Sequence, residues 1–139
     1  MAKMKVIPDN ETFHFHNENP KGRCTGDCVT RAISAFLEQT WKDTFMELAV
    51  YGCKRATDMD CPETYGPYLE MKGYEKQKMP RRFGGKRYTA AEFCKELAEP
   101  GKRYILSLAG HLTYIGPDCR IYDTWDCGAK CVGNYWVRN

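Results

Sequence analysis

Asp27-Cys28-Val29-Thr30-Arg31-Ala32-Ile33-Ser34-Ala35-Phe36-Leu37 is the stretch whose reading decides the fold. Val29, Ala32, Ile33, Phe36 and Leu37 recur at helical spacing on one face, so the stretch predicts a helix that buries this stripe. Thr25-Gly26-Asp27 supplies capping-type residues ahead of it. The helix therefore starts at or beside Cys28. Upstream, residues 18–27 are rich in Asn, Pro, Gly and Thr and read as a loop. Before that, Phe13 and Phe15 alternate with His14 and His16, the pattern of a short strand or extended arm with its phenylalanines inward.

Downstream, Thr40 opens a second helix with Asp43 in its first turn and Trp41, Phe45, Leu48 and Ala49 on its inner face. A third helix is expected from Glu63 to Lys72, stopped by Gly73. Thr89 with Glu92 forms a capping box for a fourth, ending near Ala98 before Pro100-Gly101. From Arg103 on, the sequence is strand-like: Tyr104 to Ala109, His111 to Ile115, Cys119 to Trp125 and Tyr135 to Val137. Helices first and strands last predict an α+β domain with a mostly antiparallel sheet, a single domain over residues 1–139.

The 139 residues carry a formal net charge of +3, which neither requires nor excludes a polyanionic partner. No window approaches the ~18 apolar residues of a membrane helix. The apolar stretch in Met1-Ala2-Lys3-Met4-Lys5-Val6-Ile7 is too short for a signal-peptide core. A cytoplasmic protein is the expectation. Eight cysteines are many for that compartment, where reduced thiols, catalysis or metal are expected before disulfides.

A thiol is a useful nucleophile as its thiolate, which a helix N-terminus and a neighbouring imidazolium both favour. Cys28 is placed for the first effect. His111 is the candidate for the second. It begins the run Leu112-Thr113-Tyr114-Ile115, and the turn Gly116-Pro117-Asp118 leads on to Cys119-Arg120-Ile121-Tyr122-Asp123. A hairpin centred on Pro117 would set His111 directly opposite Asp123, with Cβ atoms ~4.5–5.5 Å apart. The carboxylate could then hold the imidazole by Nδ1–H and leave the other nitrogen for the thiol. Asp126, at odd spacing from Asp123, falls on the opposite face.

The run Gly22-Arg23-Cys24-Thr25-Gly26-Asp27-Cys28-Val29-Thr30-Arg31-Ala32-Ile33-Ser34 resembles the nucleophile segment of papain-like cysteine peptidases. Gly110-His111-Leu112-Thr113-Tyr114-Ile115-Gly116 is similar to their histidine strand, and Asp123-Thr124-Trp125 to their Asn-Ser-Trp triplet. Gly133-Asn134-Tyr135-Trp136-Val137 resembles their closing strand. Short bacterial and phage proteins similar to the bacteriocin-processing cysteine peptidases are of this size and use Asp at the third position. The resemblance implies a papain-like fold and a hydrolase working by acyl transfer on peptide, isopeptide or side-chain amide bonds. It implies Cys28 as nucleophile, His111 as base and Asp123 as the group orienting that base. No cofactor is expected; the expected partner is a peptide or protein substrate rather than nucleic acid or membrane.

The family places a Gln about six residues before its Cys, and here that position is Gly22. The backbone N–H of Cys28 would be one oxyanion donor and the side chain of Asn19, or else Asn17, the second. Trp125 and Trp136 are expected to pack near the site as substrate-binding residues, with a core role as the alternative. The competing class is a non-enzymatic binding module, inactive or stabilised by zinc on Cys24, Cys28, Cys127 and Cys131, with His14 and His16 as further ligand types. The stretch Lys76 to Tyr88 carries six basic residues around Gly84-Gly85 and reads as a solvated loop or as a flap attracting acidic substrate segments.

Overall fold

The computed structural model describes residues 5–139. It is an α+β fold of four helices and one five-stranded sheet. In chain order the elements are β1 (Phe13–Phe15), α1 (Cys28–Leu37), α2 (Trp41–Arg55), α3 (Pro62–Met71), α4 (Ala90–Glu96), β2 (Arg103–Leu108), β3 (His111–Ile115), β4 (Ile121–Asp123) and β5 (Tyr135–Arg138). No helix among the described residues is long and apolar enough to cross a membrane.

The sheet order is β1-β4-β3-β2-β5. It is mixed rather than purely C-terminal and antiparallel. β1 joins it parallel to β4, with Phe13 beside Ile121 and Phe15 beside Asp123. Phe13 is fully buried, and its burial is what draws this early segment onto the sheet.

Alternation along β2 serves two cores. Ile105, with Leu112, Tyr114 and Trp136, faces α1, α2 and α3, where Val29, Ile33, Phe36, Leu48, Tyr68 and Leu69 pack. Tyr104, Leu106 and Leu108 face α4, joining Phe13, Phe93, Cys94, Ile115 and Ile121. Each fully buried large apolar side chain contributes roughly 1.5–3 kcal/mol, so the two layers clamp the sheet from both sides.

Thr40 caps α2 by accepting from the Asp43 N–H, and Thr89 with Glu92 forms the capping box of α4. The inner face of α2 differs from the apolar pattern. Thr44, Leu48 and Gly52 are buried, whereas Phe45 is 38% exposed and stacks on Trp41, ring centroids 5.1 Å apart. Gly52 takes that place because a Cβ there would lie 2.7 Å from the Thr57 carbonyl oxygen. β4 is also shorter than its apolar run, because the chain bends after Asp123.

Candidate active site

Antiparallel pairing puts the start of β3 beside the end of β4, and the N-terminus of α1 lies against that end of the sheet. Ala109-Gly110 joins β2 to β3 as a two-residue turn between the paired Leu108 and His111, with Gly110 at φ +64. This turn delivers His111 to the sheet end. β3 then pairs with β4 as Tyr114 to Tyr122 and Ile115 to Ile121. Continuing by one pair, Thr113 faces Asp123, and His111 stands diagonal to it on the same face.

The hairpin is thus centred on Asp118 rather than Pro117. Cys119 adopts φ +63 and makes a three-residue loop, with the Gly116 N–H donating to the Arg120 carbonyl at 3.0 Å. The expected directly opposite pair becomes a diagonal one, and the two side chains still meet. His111 Nε2 lies 2.7 Å from Asp123 Oδ2. The carboxylate holds Nε2 rather than Nδ1, leaving Nδ1 as the ring nitrogen on the other edge.

Asp123 is almost wholly enclosed, its side chain 2% exposed. Oδ2 accepts from His111, from the Thr113 hydroxyl at 2.6 Å and from the Cys127 thiol at 3.8 Å. Oδ1 accepts from Arg31 Nη1 at 2.9 Å and the Thr124 N–H at 2.7 Å. Arg31 in turn donates from Nε to Asp27 Oδ1 at 2.8 Å. Asp27 Oδ2 accepts from Trp41 Nε1 at 2.9 Å and from Asn19 Nδ2 at 3.1 Å. Alternating charges therefore run Asp27, Arg31, Asp123, His111 and Cys28, and bind the thiol's helix to the histidine's hairpin.

Burial opposes ionisation of Cys28, but the hydrogen bond to His111, the Leu112 N–H and the charges of His111 and Arg31 outweigh it. The thiol falls below its ordinary value. Burial also opposes the charge on His111; Asp123, Cys127 and Cys28 overcome it and push the imidazole up to about 11. Burial would raise Asp123, yet His111, Thr113 and Arg31 hold it below the usual carboxylate range. Burial pushes Cys94 up to about 12 and also raises Cys119 and Cys127. A thiolate–imidazolium pair is the state this environment favours, and it singles out Cys28 from those three thiols.

Asp27 occupies the N-cap of α1 without capping it, since its carboxylate is spent on Arg31, Trp41 and Asn19. The first-turn N–H groups beside Cys28 therefore have no side-chain acceptor. Asn19 is not brought to the thiol. Its Nδ2 donates to Asp27, and its Oδ1 accepts from the Lys21 and Arg23 N–H groups. Asp126 is turned away, accepting from Asn10 and the Gly128 N–H. Trp125 packs on His111 with ring centroids 4.9 Å apart, covering the imidazole. Trp136 is 2% exposed in the core, edge-on to Tyr65 at 6.0 Å, and lines a neighbouring cavity.

All eight cysteines are free thiols. Cys24, Cys28, Cys127 and Cys131 are not gathered into one ligand set. Among the described residues the one group of three with ligand atoms close together is His111, Asp123 and Cys127, within 4.8 Å of one another. Arg31 already neutralises that carboxylate, so a dication there would meet a fixed positive charge. His14 and His16 lie against Tyr122 and pair with Asp9 and Glu18.

A cavity of about 240 Å³ opens at the thiol, lined by Cys28, Asp60, Tyr65, Ser107, His111 and Leu112 among others. A second of about 300 Å³, holding Glu70, Lys76, Asn134 and Trp136, shares Pro62, Tyr65 and Ser107 with it. A third of about 280 Å³, walled by Trp41, Phe45 and Met59, shares Val29 and Asp60. The thiol thus sits mid-way along a chain of adjoining cavities. Sequence reasoning missed Arg31 and Thr113, and weighed Cys127 as a zinc ligand rather than as a donor to Asp123. Of their contacts, only the i,i+4 spacing of Asp27 and Arg31 is legible without the fold. No protein-family model, curated protein or solved structure matched the chain.

Proposed function

We propose that this chain is a papain-like thiol enzyme that transfers acyl groups, a cysteine peptidase or amidase acting through a Cys28 thioester. The observation that carries the reading is His111, held by a buried Asp123 at 2.7 Å on the same cavity wall as Cys28, whose ionisation it favours. The Cys28 thiolate attacks the carbonyl carbon, and electrons move to the carbonyl oxygen. The uncapped first turn of α1 offers the Cys28 N–H to that oxyanion. Tyr65, on the cavity wall, is kept in its hydroxyl form by burial and is the second donor in place of the missing glutamine. Collapse expels the amine, which takes its proton from the His111 imidazolium, and a thioester remains. Neutral His111 then accepts a proton from water as the water attacks the thioester, and Cys28 leaves as thiolate. Asp123 orients the imidazole throughout and stays ionised. The adjoining cavities on either side of Cys28 suit a chain-like substrate rather than a small molecule.

Iodoacetamide labelling followed by peptide mass spectrometry tests the reading. Cys28 should label first, at a pH well below the ~8.5 of a free thiol. His111→Ala should move its labelling curve to higher pH. Equal labelling of all eight cysteines, or an unmoved curve in the variant, would remove the mechanism.

A further inference from the structure

Residues 76–88 hold six cations, Lys76, Lys78, Arg81, Arg82, Lys86 and Arg87, and no carboxylate, in a chain whose formal net charge is only +3. The segment is tied to the rest of the fold near both ends, where Gln77 bridges Tyr135 and Thr89 bridges Cys131. Between them it forms a tight hairpin. Arg81 bridges Arg87, the Arg82 N–H donates to the Lys86 carbonyl at 2.7 Å and the Gly85 N–H to the Arg82 carbonyl at 2.9 Å. Gly84 and Gly85 take φ +89 and +84 to make the turn. Phe83 stands at the apex with its whole side chain in solvent.

Arg82 spends its charge within the fold, on Glu96 at 2.7 Å and Glu92 at 3.3 Å, and this pins the hairpin to α4. Among the described residues the other five cations meet no carboxylate. Arg81 and Arg87 donate only to the backbone carbonyls of Gly85 and Val132. Lys76 lines the cavity that adjoins the thiol cavity through Pro62, Tyr65 and Ser107. Glu70 shares that cavity with Lys76, so the uncompensated positive charge lies on the hairpin next to the candidate cleft.

We propose that this hairpin is a docking site for an acidic peptide segment of the substrate, lying beyond the bond presented to Cys28, with an apolar residue of that segment against Phe83. The inference rests on the acyl-transfer reading for calling the peptide a substrate; its binding needs no chemistry at Cys28. A surface of one sign raises the local concentration of opposite charge and speeds encounter. A nucleic-acid strand stacks on successive aromatic platforms. The hairpin presents one, because Arg82 covers the Tyr88 ring at 5.0 Å. A membrane anchor spreads apolar residues across its tip. Here two glycines follow the single phenylalanine.

The test uses the full chain carrying Cys28→Ser, so that binding is read without turnover. The probe is a fluorescein-labelled glycine-rich peptide with five consecutive glutamates and one leucine, followed by fluorescence anisotropy. It should bind on the order of tenfold more tightly than the same peptide with glutamines, and weaken as salt rises. Lys78→Glu combined with Lys86→Glu should abolish that preference, and Phe83→Ala should weaken the acidic peptide several-fold. These positions are exposed, and circular dichroism checks that the variants remain folded. Binding unchanged by the charge reversal overturns the proposal. So does tighter binding to phosphatidylserine vesicles or to an oligothymidine than to the acidic peptide. If the peptide binds as expected while Cys28 labels like an ordinary thiol, the acyl-transfer reading falls and the acidic-peptide site stands.

Discussion

Asp123 concentrates most of what holds the site together. A buried carboxylate survives only when its oxygens are satisfied and its charge is balanced. Here Arg31 and His111 supply the balance, and Thr113 and Thr124 complete the hydrogen bonds. Arg31→Met would strip one Asp123 oxygen of its cation and leave Asp27 with only its neutral partners, Trp41 and Asn19. Breaking a buried pair from one side typically costs about 3–5 kcal/mol, and urea denaturation of this variant should show a loss of that order. The charge of Arg31 also favours the thiolate. Cys28 in Arg31→Met should therefore require a higher pH for alkylation, a shift that loss of packing alone would not produce. Cys28 and His111 were legible as a pair because each follows a local signal, a helix start and a glycine turn. Arg31 was legible only as a helix residue, since its main partner lies on a strand far along the chain.

At the scale of elements, three devices aim the side chains. The turn at Ala109-Gly110 starts β3 at His111, the three-residue loop through Cys119 sets the diagonal to Asp123, and the N-cap of α1 keeps its N–H groups open. Gly110 has nothing within 4 Å of where a Cβ would stand, so only its left-handed backbone requires glycine. Gly110→Ala should cost about 1–2 kcal/mol in thermal or urea unfolding. It should also raise the pH at which Cys28 alkylates, because His111 follows directly. The four helices and β2, β3 and β5 could be read from spacing, capping residues and turn signals. The register of the β3–β4 hairpin could not. A loop of two or three residues changes which side chains face each other, and the left-handed Cys119 is not a residue type that announces such a loop.

For the whole molecule, the charged pair links the site to stability with opposing signs. His111 is raised from 6.5 to about 11, so its contribution is complete below pH 6.5 and is lost as pH rises through about 11. Cys28 is lowered from 9.0, so its contribution grows as pH rises through its folded value and is complete above 9.0. The two oppose each other at alkaline pH. Cys28→Ser removes the second and leaves Asp123 holding the imidazole charged. Its urea midpoint should fall between pH 7 and 10 more steeply than that of the wild type. Parallel curves for the two proteins would mean that the Cys28 thiol is not lowered in the folded state. The mixed sheet was the part of the architecture least visible beforehand. β1 carries only three residues, and its pairing with β4 depends on burial of Phe13 rather than on any local pattern.

That parallel pairing also sets an order in time. Translation releases Phe13 and Cys28 long before Ile121 and His111 exist to receive them. A nascent chain can begin α1, but the helix has no sheet to lie on and the thiol has no imidazole beside it. Cys28 therefore leaves the ribosome as an ordinary thiol and becomes a poised one only when the far strands arrive. The thiol keeps its ordinary pKa during synthesis because the histidine that lowers it lies far along the chain.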